Sequence, residues 1–287
     1  MAHDTETDMT GRTVVLTGGT SGIGRATALR LAQLGATVAL TGRDPVRTRD
    51  TAAEISSATG AEVRPFTGDL SSQAEVRRLA TDLLDSLPHI DVLVNNAGGY
   101  WNSRHVTVDG LERTFAVNHL APFLLTALLL PRLLTSADGR VVTVASNAQA
   151  LGRMDFDDLQ GHRGYSGARA YNQSKLATVL FTYELARRLN GTTVTANALH
   201  PGVVRTAFGA EDPGRAQRIL VPMARRFMMT PAQGAETSVM LASSPHVRGT
   251  RGRFFVRGTE KRSARRTYDE TAAARLWRAS EALVAVR

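Results

Sequence analysis

The sequence contains no cysteine, no long apolar run and fewer acidic than basic residues. Without cysteine, a catalytic thiol is excluded, and disulfides give no information on the compartment. The most apolar run, residues 120–130, is shorter than the roughly 20 residues that span a bilayer, so we expect a buried helix or a subunit interface there. Residues 1–10 lack the basic start and apolar core of a signal peptide, and we expect them to be disordered. These absences favour a soluble cytoplasmic protein with no membrane partner.

The basic residues concentrate at the C-terminus. The chain has 35 Lys and Arg against 26 Asp and Glu, and residues 248–287 hold eleven of the former and four of the latter. Such a segment could contact nucleic acid or a membrane surface. Interleaved aromatic residues and a nucleic-acid motif are missing, so a solvated surface is favoured over a nucleic-acid partner. Apolar residues recur there at the spacing of one helix face, which predicts a terminal packing helix that buries Leu276, Trp277, Leu283 and Val284.

Strand and helix patterns alternate along the 287 residues without a Pro/Gly/Ser-rich linker. This alternation favours a single α/β domain over residues 11–287. Right-handed crossovers between parallel strands would give a doubly wound Rossmann domain, with a sheet of about seven strands and helices on both faces. The predicted strands are residues 13–17, 37–41, 62–66, 90–95, 140–146, 193–198 and 253–256.

A glycine-rich turn follows the first predicted strand. Residues 18–24 read Gly-Gly-Thr-Ser-Gly-Ile-Gly, and an amphipathic segment begins at Arg25. Strand, glycine turn and helix start in this order bind the pyrophosphate of a dinucleotide. The glycines let the backbone approach the phosphates, and the helix N-terminus offers free N–H groups. The order of elements favours this site over a flexible turn that binds nothing.

Tyr171 and Lys175 stand four residues apart in a predicted helix, so their side chains share one face. Tyrosine titrates near pH ~10, which is too high for acid/base chemistry at neutral pH. An ammonium ~4 Å away, at an effective dielectric of ~20, would favour the phenolate by ~4 kcal/mol and lower the pKa by roughly three units. The pair therefore predicts a proton-transfer group, although the same spacing occurs as a solvated pair on many helices.

These motifs and several others resemble the short-chain dehydrogenase/reductase family over residues 13–241. The family's nucleotide motif, Thr-Gly-x-x-x-Gly-x-Gly, spans Thr17–Gly24. The interval of 25 residues from Ser146 to Tyr171 and the stretch Asp157-Asp158-Leu159-Gln160 look like the retinol dehydrogenase-like branch. The other matches are Asp69-Leu70, Asn95-Asn96-Ala97-Gly98, Asn118, Ser146, Tyr171, Lys175 and His200-Pro201-Gly202.

The resemblance implies an enzyme that moves a hydride between a nicotinamide and a carbinol carbon. Tyr171 would be the acid/base, and Lys175 would lower its pKa and hold the nicotinamide ribose. Ser146 would polarise the substrate oxygen, while Asn118 would maintain a helix geometry and a water that relays protons. The implied cofactor-binding residues are Tyr171 and Lys175 together with Thr17, Gly18, Thr20, Ser21, Gly22, Ile23, Gly24, Asp69, Leu70, Asn95, Ala97, Gly98, Pro201, Gly202, Val203 and Thr206.

The choice between NAD and NADP depends on the end of the second strand. The family places a carboxylate there for the ribose 2′-OH of NAD, but this position is Gly42 here. Arg43 follows, and its guanidinium suits a 2′-phosphate, so we predict NADP(H) and include Arg43 in the cofactor site. The alternative is a loop arginine paired with Asp44. For Asp69, adenine binding and a helix N-cap ahead of Ser71 stay equally open.

The substrate side carries weaker signals. Residues about 205–230 take the place of the family's substrate lid and are rich in Met and Phe, which suit an apolar ligand but also ordinary helix packing. We predict that Ser146, Tyr165 and Phe208 line the substrate pocket. His200 is expected to belong to a structural turn.

These observations together predict an NADP(H)-dependent oxidoreductase without a metal, which interconverts a hydrophobic ketone or aldehyde and its alcohol and could form a homo-oligomer. Two alternatives stay open. An epimerase or dehydratase of the extended branch would share Tyr-x-x-x-Lys, but its glycine spacing is usually different and its chain longer. A regulator that senses NADP would use the basic segment 248–287 to contact a partner or nucleic acid.

Overall fold

The computed structural model describes residues 7–205, 211–212 and 228–284. Its strands are β1 (Thr13–Leu16), β2 (Thr37–Gly42), β3 (Val63–Thr67), β4 (Val92–Asn95), β5 (Arg140–Val144), β6 (Thr195–His200), β7 (Phe254–Val256) and β8 (Thr259–Lys261). They form one sheet in the order β3-β2-β1-β4-β5-β6-β7-β8. Every pair is parallel except β7 and β8, which are antiparallel. The predicted doubly wound parallel sheet is confirmed.

Helices cover both faces of this sheet. They are α1 (Gly22–Gln33), α2 (Pro45–Thr59), α3 (Gln73–Ser86), α4 (Arg113–Leu133), α5 (Gly167–Arg188), α6 (Pro231–Ser243) and α7 (Glu270–Val284). Apolar residues of α3, α4, α5 and α7 share one buried cluster, and those of α1, α2 and α6 share another. Strands β1, β4, β5 and β6 are buried along their whole length, because helices exclude water from both faces.

Helix α4 contains the most apolar run of the sequence. It has 21 residues and is long and apolar enough to span a bilayer by those two criteria, but 72% of its most apolar window is buried inside the fold. The predicted buried helix is confirmed. The helix is longer than the apolar run of residues 120–130, because a turn of π-helix, Ala116–Leu120, continues it toward its N-terminus.

The predicted terminal packing helix is also confirmed. In α7, Leu276 and Val284 are fully buried, and Trp277 packs its ring 4.9 Å from that of Phe123 in α4. Ser280, in the middle of the apolar face, accepts a hydrogen bond from the buried ring of His119 at 2.8 Å, because its own proton is donated to Leu276. Helix α7 therefore closes the core over α4 and α5.

The N-terminal segment is ordered closer to the start of the chain than expected. Residues 1–6 lie outside the described part, but Met9 is only 2% exposed and its N–H donates to Leu34 O at 2.7 Å. The expectation that all of residues 1–10 are disordered is therefore wrong for Met9. Its apolar side chain joins the cluster beneath α1, which the polar composition of the segment concealed.

The hairpin that adds β8 contains the one non-glycine residue with positive φ among the described residues. Arg257 has φ 50° and Gly258 has φ 71°, and the pair joins Val256 to Thr259 as a two-residue turn. Positive φ at both central residues is the type I′ geometry, in which the first position favours Asn, Asp or Gly. Arginine therefore carries a backbone strain here.

We expect Arg257→Asn to raise the free energy of unfolding by about 0.5 kcal/mol, because asparagine tolerates the left-handed conformation better. The melting temperature should rise by roughly 1–2 °C in calorimetry. Arg262→Asn is the matched control, since this exposed arginine lies outside the turn and has no positive φ. A variant no more stable than the wild type would contradict the strain at Arg257.

Candidate active site

The glycine-rich turn lies between β1 and α1 and is closely packed at its glycines. Gly18 and Gly22 have φ of 67° and 52°. A Cβ at Gly24 would stand 2.1 Å from Gly18 O. Ser21 precedes α1 and makes no side-chain cap, so the first N–H groups of the helix face outward. These features fit the pyrophosphate of a dinucleotide.

Thr17 and Asn96 hold this turn from behind. Thr17 Oγ1 accepts from the N–H groups of Asn96 and Ala97, each at 3.0 Å, and Asn96 Nδ2 donates to Thr17 O at 2.7 Å. Asn95 was expected in the cleft wall, but its buried side chain points away and donates to Thr126 Oγ1 at 3.0 Å. Asn96 lines the cleft instead. Because successive side chains of a strand point to opposite faces, the sequence could have shown that only one of Asn95 and Asn96 faces the cleft.

A cleft of about 390 Å³ opens beside the glycine turn, at the carboxyl ends of β1, β2 and β4. This edge is where doubly wound sheets bind nucleotides. Tyr100, Trp101 and Arg113 also line the cleft and were not predicted from the sequence. The predicted residues that line it are Gly18, Thr20, Ser21, Gly22, Ile23, Gly24, Arg43, Asp69, Leu70, Ala97 and Gly98.

Two threonine side chains crowd the end of β2 at Gly42. A Cβ at Gly42 would lie 2.3 Å from Thr48 Oγ1 and 2.6 Å from Thr20 Cγ2. Arg43 does not pair with Asp44, whose side chain accepts from Arg47 N at 2.9 Å and caps α2. Its partner is Glu211, described below. The alternative of an Arg43–Asp44 pair is therefore wrong.

Asp69 is not the N-cap of α3. Its Oδ1 accepts from the N–H and the hydroxyl of Ser71, at 2.9 and 2.8 Å, while Ser72 caps the helix. Asp69 keeps its place in the cleft, and adenine binding stays a prediction.

The segment after β6 continues past His200 to the base of the predicted lid. Pro201 is partly buried, Val203 is exposed, and Val203 O accepts from Met229 N at 2.9 Å. Gly202 has φ 93°, and a Cβ there would meet Met229 Sδ at 2.4 Å. His200 is the last residue of β6, and burial lowers the pKa of its ring, which leaves it neutral at pH 7. Among the other predicted residues, Thr206 and Phe208 lie outside the described part of the chain.

Ser146, Tyr171 and Lys175 meet beside the cleft. Ser146 follows β5, accepts from Ala148 N at 3.2 Å and forms a side-chain hydrogen bond with Tyr171. Tyr171 and Lys175 share one face of α5, as predicted, with Lys175 Nζ 5.8 Å from the Tyr171 ring centroid. Lys175 is 5% exposed and donates to Val144 O at 3.0 Å.

The pKa values of this group differ from the expectation. Burial raises the pKa of Tyr171, and the hydrogen bond from Ser146 opposes that shift. Burial also lowers the pKa of Lys175 to about 8. The predicted lowering of the Tyr171 pKa by the ammonium does not appear in the chain alone, where burial raises this pKa and Lys175 Nζ lies 5.8 Å from the ring centroid.

Asn118 lies in the π turn of α4 and fixes the loop that follows β4. Its Oδ1 accepts from Gly99 N at 2.8 Å, and its Nδ2 donates to Gly99 O at 2.9 Å and to Ser174 Oγ at 3.0 Å. A Cβ at Gly98 would stand 3.1 Å from Asn118 Oδ1 and 3.6 Å from Lys175 Nζ. Asn118 thus holds the backbone of this loop close to the lysine, which fits its implied role in helix geometry.

The two other tyrosines near the site differ in position. Tyr100 packs edge-on against Tyr171, with 5.7 Å between ring centroids. Tyr165 donates to Glu112 Oε1 at 3.1 Å and lines a second cavity, of about 420 Å³, together with Gln160. Its burial raises its pKa above the usual range. The placement of Tyr165 in the substrate pocket stays a prediction.

A glycine turn that fits a pyrophosphate, beside a Ser–Tyr–Lys group, is typical of a nucleotide-dependent oxidoreductase of the Rossmann class. The chain matches the family model for short chain dehydrogenase over residues 12–215. It therefore belongs to the short-chain dehydrogenase family and acts as an oxidoreductase on CH–OH groups.

Three similar proteins place the chain within this family. Retinol dehydrogenase 14 of Mus musculus is 43% identical over 291 residues, which cover 97% of this chain and 87% of that protein. A Streptomyces sp. (strain C5) protein provisionally named daunorubicin C-13 ketoreductase is 42% identical over 275 residues, 96% of this chain and 93% of that protein. A Shigella flexneri short chain dehydrogenase complexed with NADP has 26% identity and a TM-score of 0.70, covering 88% and 100% of the two chains. The predicted retinol dehydrogenase-like branch is confirmed.

Proposed function

We propose that this protein uses NADP(H) to interconvert a hydrophobic ketone or aldehyde and its alcohol, with Tyr171 as the acid/base. The observation that carries the proposal is the meeting of Ser146, Tyr171 and Lys175 beside a cleft whose glycine turn fits a dinucleotide. When bound, NADP(H) would supply or accept the hydride at its nicotinamide ring.

The side chains of the protein would handle the proton. In the reducing direction, the Tyr171 hydroxyl donates its proton to the nascent alkoxide oxygen, and in oxidation the phenolate takes it back. Ser146 orients the same oxygen by hydrogen bonding. Lys175, buried and held by Val144 O, stands where its charge favours the phenolate form once Tyr171 has lost its proton.

Two observations support NADP(H) over NAD(H). A Cβ at Gly42 would crowd the side chains of Thr20 and Thr48, so a carboxylate that accepts from a ribose 2′-OH is disfavoured there. Arg43 lines the adjacent end of the cleft and is 56% exposed at its side chain, within reach of a phosphate. The Shigella flexneri relative in complex with NADP supports the same choice.

We expect NADPH to bind at least tenfold more tightly than NADH, because a bidentate phosphate contact is worth more than ~1.4 kcal/mol. Arg43→Ala should remove most of this difference in calorimetric titrations of both cofactors. Arg49→Ala is the matched control, since Arg49 is an exposed arginine of the adjacent helix that does not line the cleft. Equal dissociation constants for the two cofactors in the wild-type protein would refute the NADP assignment.

The substrate class rests on the relatives and on the rings at the site. The names of two relatives refer to retinol and to a C-13 ketoreductase of daunorubicin, that is, to an alcohol and a ketone. Tyr100 and Trp101 place two aromatic rings beside Tyr171 and the cleft. A panel of apolar carbonyls and alcohols, followed at the nicotinamide absorbance, would identify the substrate, and turnover of polar substrates alone would contradict this class. The cytoplasmic location and a homo-oligomer stay predictions.

A further inference from the structure

Glu211 reaches the end of the cofactor cleft from the segment that follows β6. Its Oε1 accepts from Arg43 Nη2 at 2.8 Å. Its Oε2 accepts from Trp101 Nε1 at 3.0 Å and lies 3.2 Å from Arg113 Nη2. Arg43, Trp101, Arg113 and Glu211 all line the same cleft. A carboxylate therefore stands directly against the arginine that we assign to the 2′-phosphate.

Contacts other than Arg43 hold Glu211 in this position. The next residue, Asp212, accepts from Ser103 N through Oδ2 at 2.6 Å, and its backbone oxygen accepts from Asn102 N at 3.3 Å. The Arg113 guanidinium stacks over the Trp101 ring at 4.4 Å. This contact holds together the two side chains that donate to Glu211 Oε2. Glu211 would thus remain near the cleft when Arg43 turns to another anion.

The charges at this end of the cleft oppose one another. The hydrogen bonds from Arg43 and Trp101 hold the pKa of Glu211 below its usual value, so the carboxylate is charged at neutral pH. A phosphate monoester carries a charge of about −1.5 to −2 at pH 7 and would share Arg43 with this carboxylate. A ribose 2′-OH, in contrast, is a donor that a carboxylate can accept.

We infer that Glu211 is a specificity-determining residue that competes with the 2′-phosphate of NADP(H) for Arg43 and thereby limits the preference over NAD(H). It supplies, from 168 residues away, the carboxylate that Gly42 cannot carry. The effect is moderate, because a guanidinium has five N–H donors and can contact both anions. The inference rests on the proposed use of NADP(H).

The test is the Glu211→Gln variant, with dissociation constants measured by titration of NADPH and NADH. We expect the preference for NADPH to rise by about two- to fivefold, the range for loss of an exposed ion pair. Glu62→Gln is the matched control, since Glu62 is an exposed carboxylate paired with Arg64 and does not line the cleft. Its preference should equal that of the wild type.

Four results are decisive. An unchanged preference in Glu211→Gln, or an equal rise in Glu62→Gln, would overturn the inference. The same substitution is then made in the Arg43→Ala variant. If Glu211→Gln raises the preference for NADPH as much there as in the wild type, Glu211 does not act by competing for Arg43. If Arg43→Ala alone changes neither affinity, the NADP assignment itself fails, and that outcome is separate from the comparison of Glu211→Gln with Glu62→Gln.

Discussion

Turnover by a Tyr171→Phe variant is expected to fall by at least about 10²-fold on any substrate that the wild-type protein accepts, while NADPH still binds. Phenylalanine keeps the ring, which packs against Tyr100, and removes the hydroxyl that meets Ser146. The rate falls because no other group then donates a proton to the nascent alkoxide at that point. Steady-state rates at the nicotinamide absorbance and a cofactor titration measure the two quantities separately.

Tyr100→Phe is the matched control for this experiment. It removes a phenol that lies against the same ring but has only packing contacts with Tyr171 in our assignment. We expect it to retain most of the wild-type turnover. Near-normal turnover by Tyr171→Phe would show that Tyr171 is not the acid. An equal loss of turnover in Tyr171→Phe and Tyr100→Phe would show that both hydroxyls are needed and that Tyr171 is not the sole acid.

The glycine turn and the Tyr–Lys pair could be predicted because each is a local pattern. The spacing from Gly18 to Gly24 fixes a tight turn ahead of a helix, and a separation of four residues puts Tyr171 and Lys175 on one helix face. Alternating strand and helix patterns fixed the doubly wound sheet in the same way. The short β8 escaped prediction because its three residues are all exposed and carry no apolar alternation.

The partners across the cleft could not be predicted, because they come from distant parts of the chain. Nothing in the sequence near Arg43 indicates that Glu211 and not Asp44 is its partner. The pKa of Tyr171 was misjudged for a related reason. The four-residue spacing shows that the Lys175 ammonium and the Tyr171 phenol share a helix face. It does not show how deeply the two groups are buried, which depends on how α5 packs against β5 and the loop after β4.

Two arginines of the basic segment bind backbone carbonyls, while most of its other described basic residues are exposed. Arg251 donates to Leu189 O and Thr192 O at 3.1 and 3.2 Å, and Arg266 donates to Gly152 O at 2.9 Å. Backbone carbonyls of neighbouring elements thus account for part of the positive charge that suggested a nucleic-acid partner. The apolar face of α7 points to packing as the role of this segment.

Leu276→Ala is therefore expected to lower the free energy of unfolding by about 2–4 kcal/mol, because Leu276 is 1% exposed and its loss leaves a cavity under α7. The melting temperature should fall by roughly 5–10 °C in calorimetry. Arg278→Ala, on the exposed face of the same helix, should change it little. If residues 248–287 instead existed to hold nucleic acid, Arg278→Ala combined with Arg262→Ala would weaken retention of DNA or RNA at about 150 mM salt. Loss of nucleic-acid retention in that double variant, together with an unchanged melting temperature in Leu276→Ala, would show that the segment binds nucleic acid and does not serve packing. A binding segment needs its charges, whereas a packing helix needs its buried leucine.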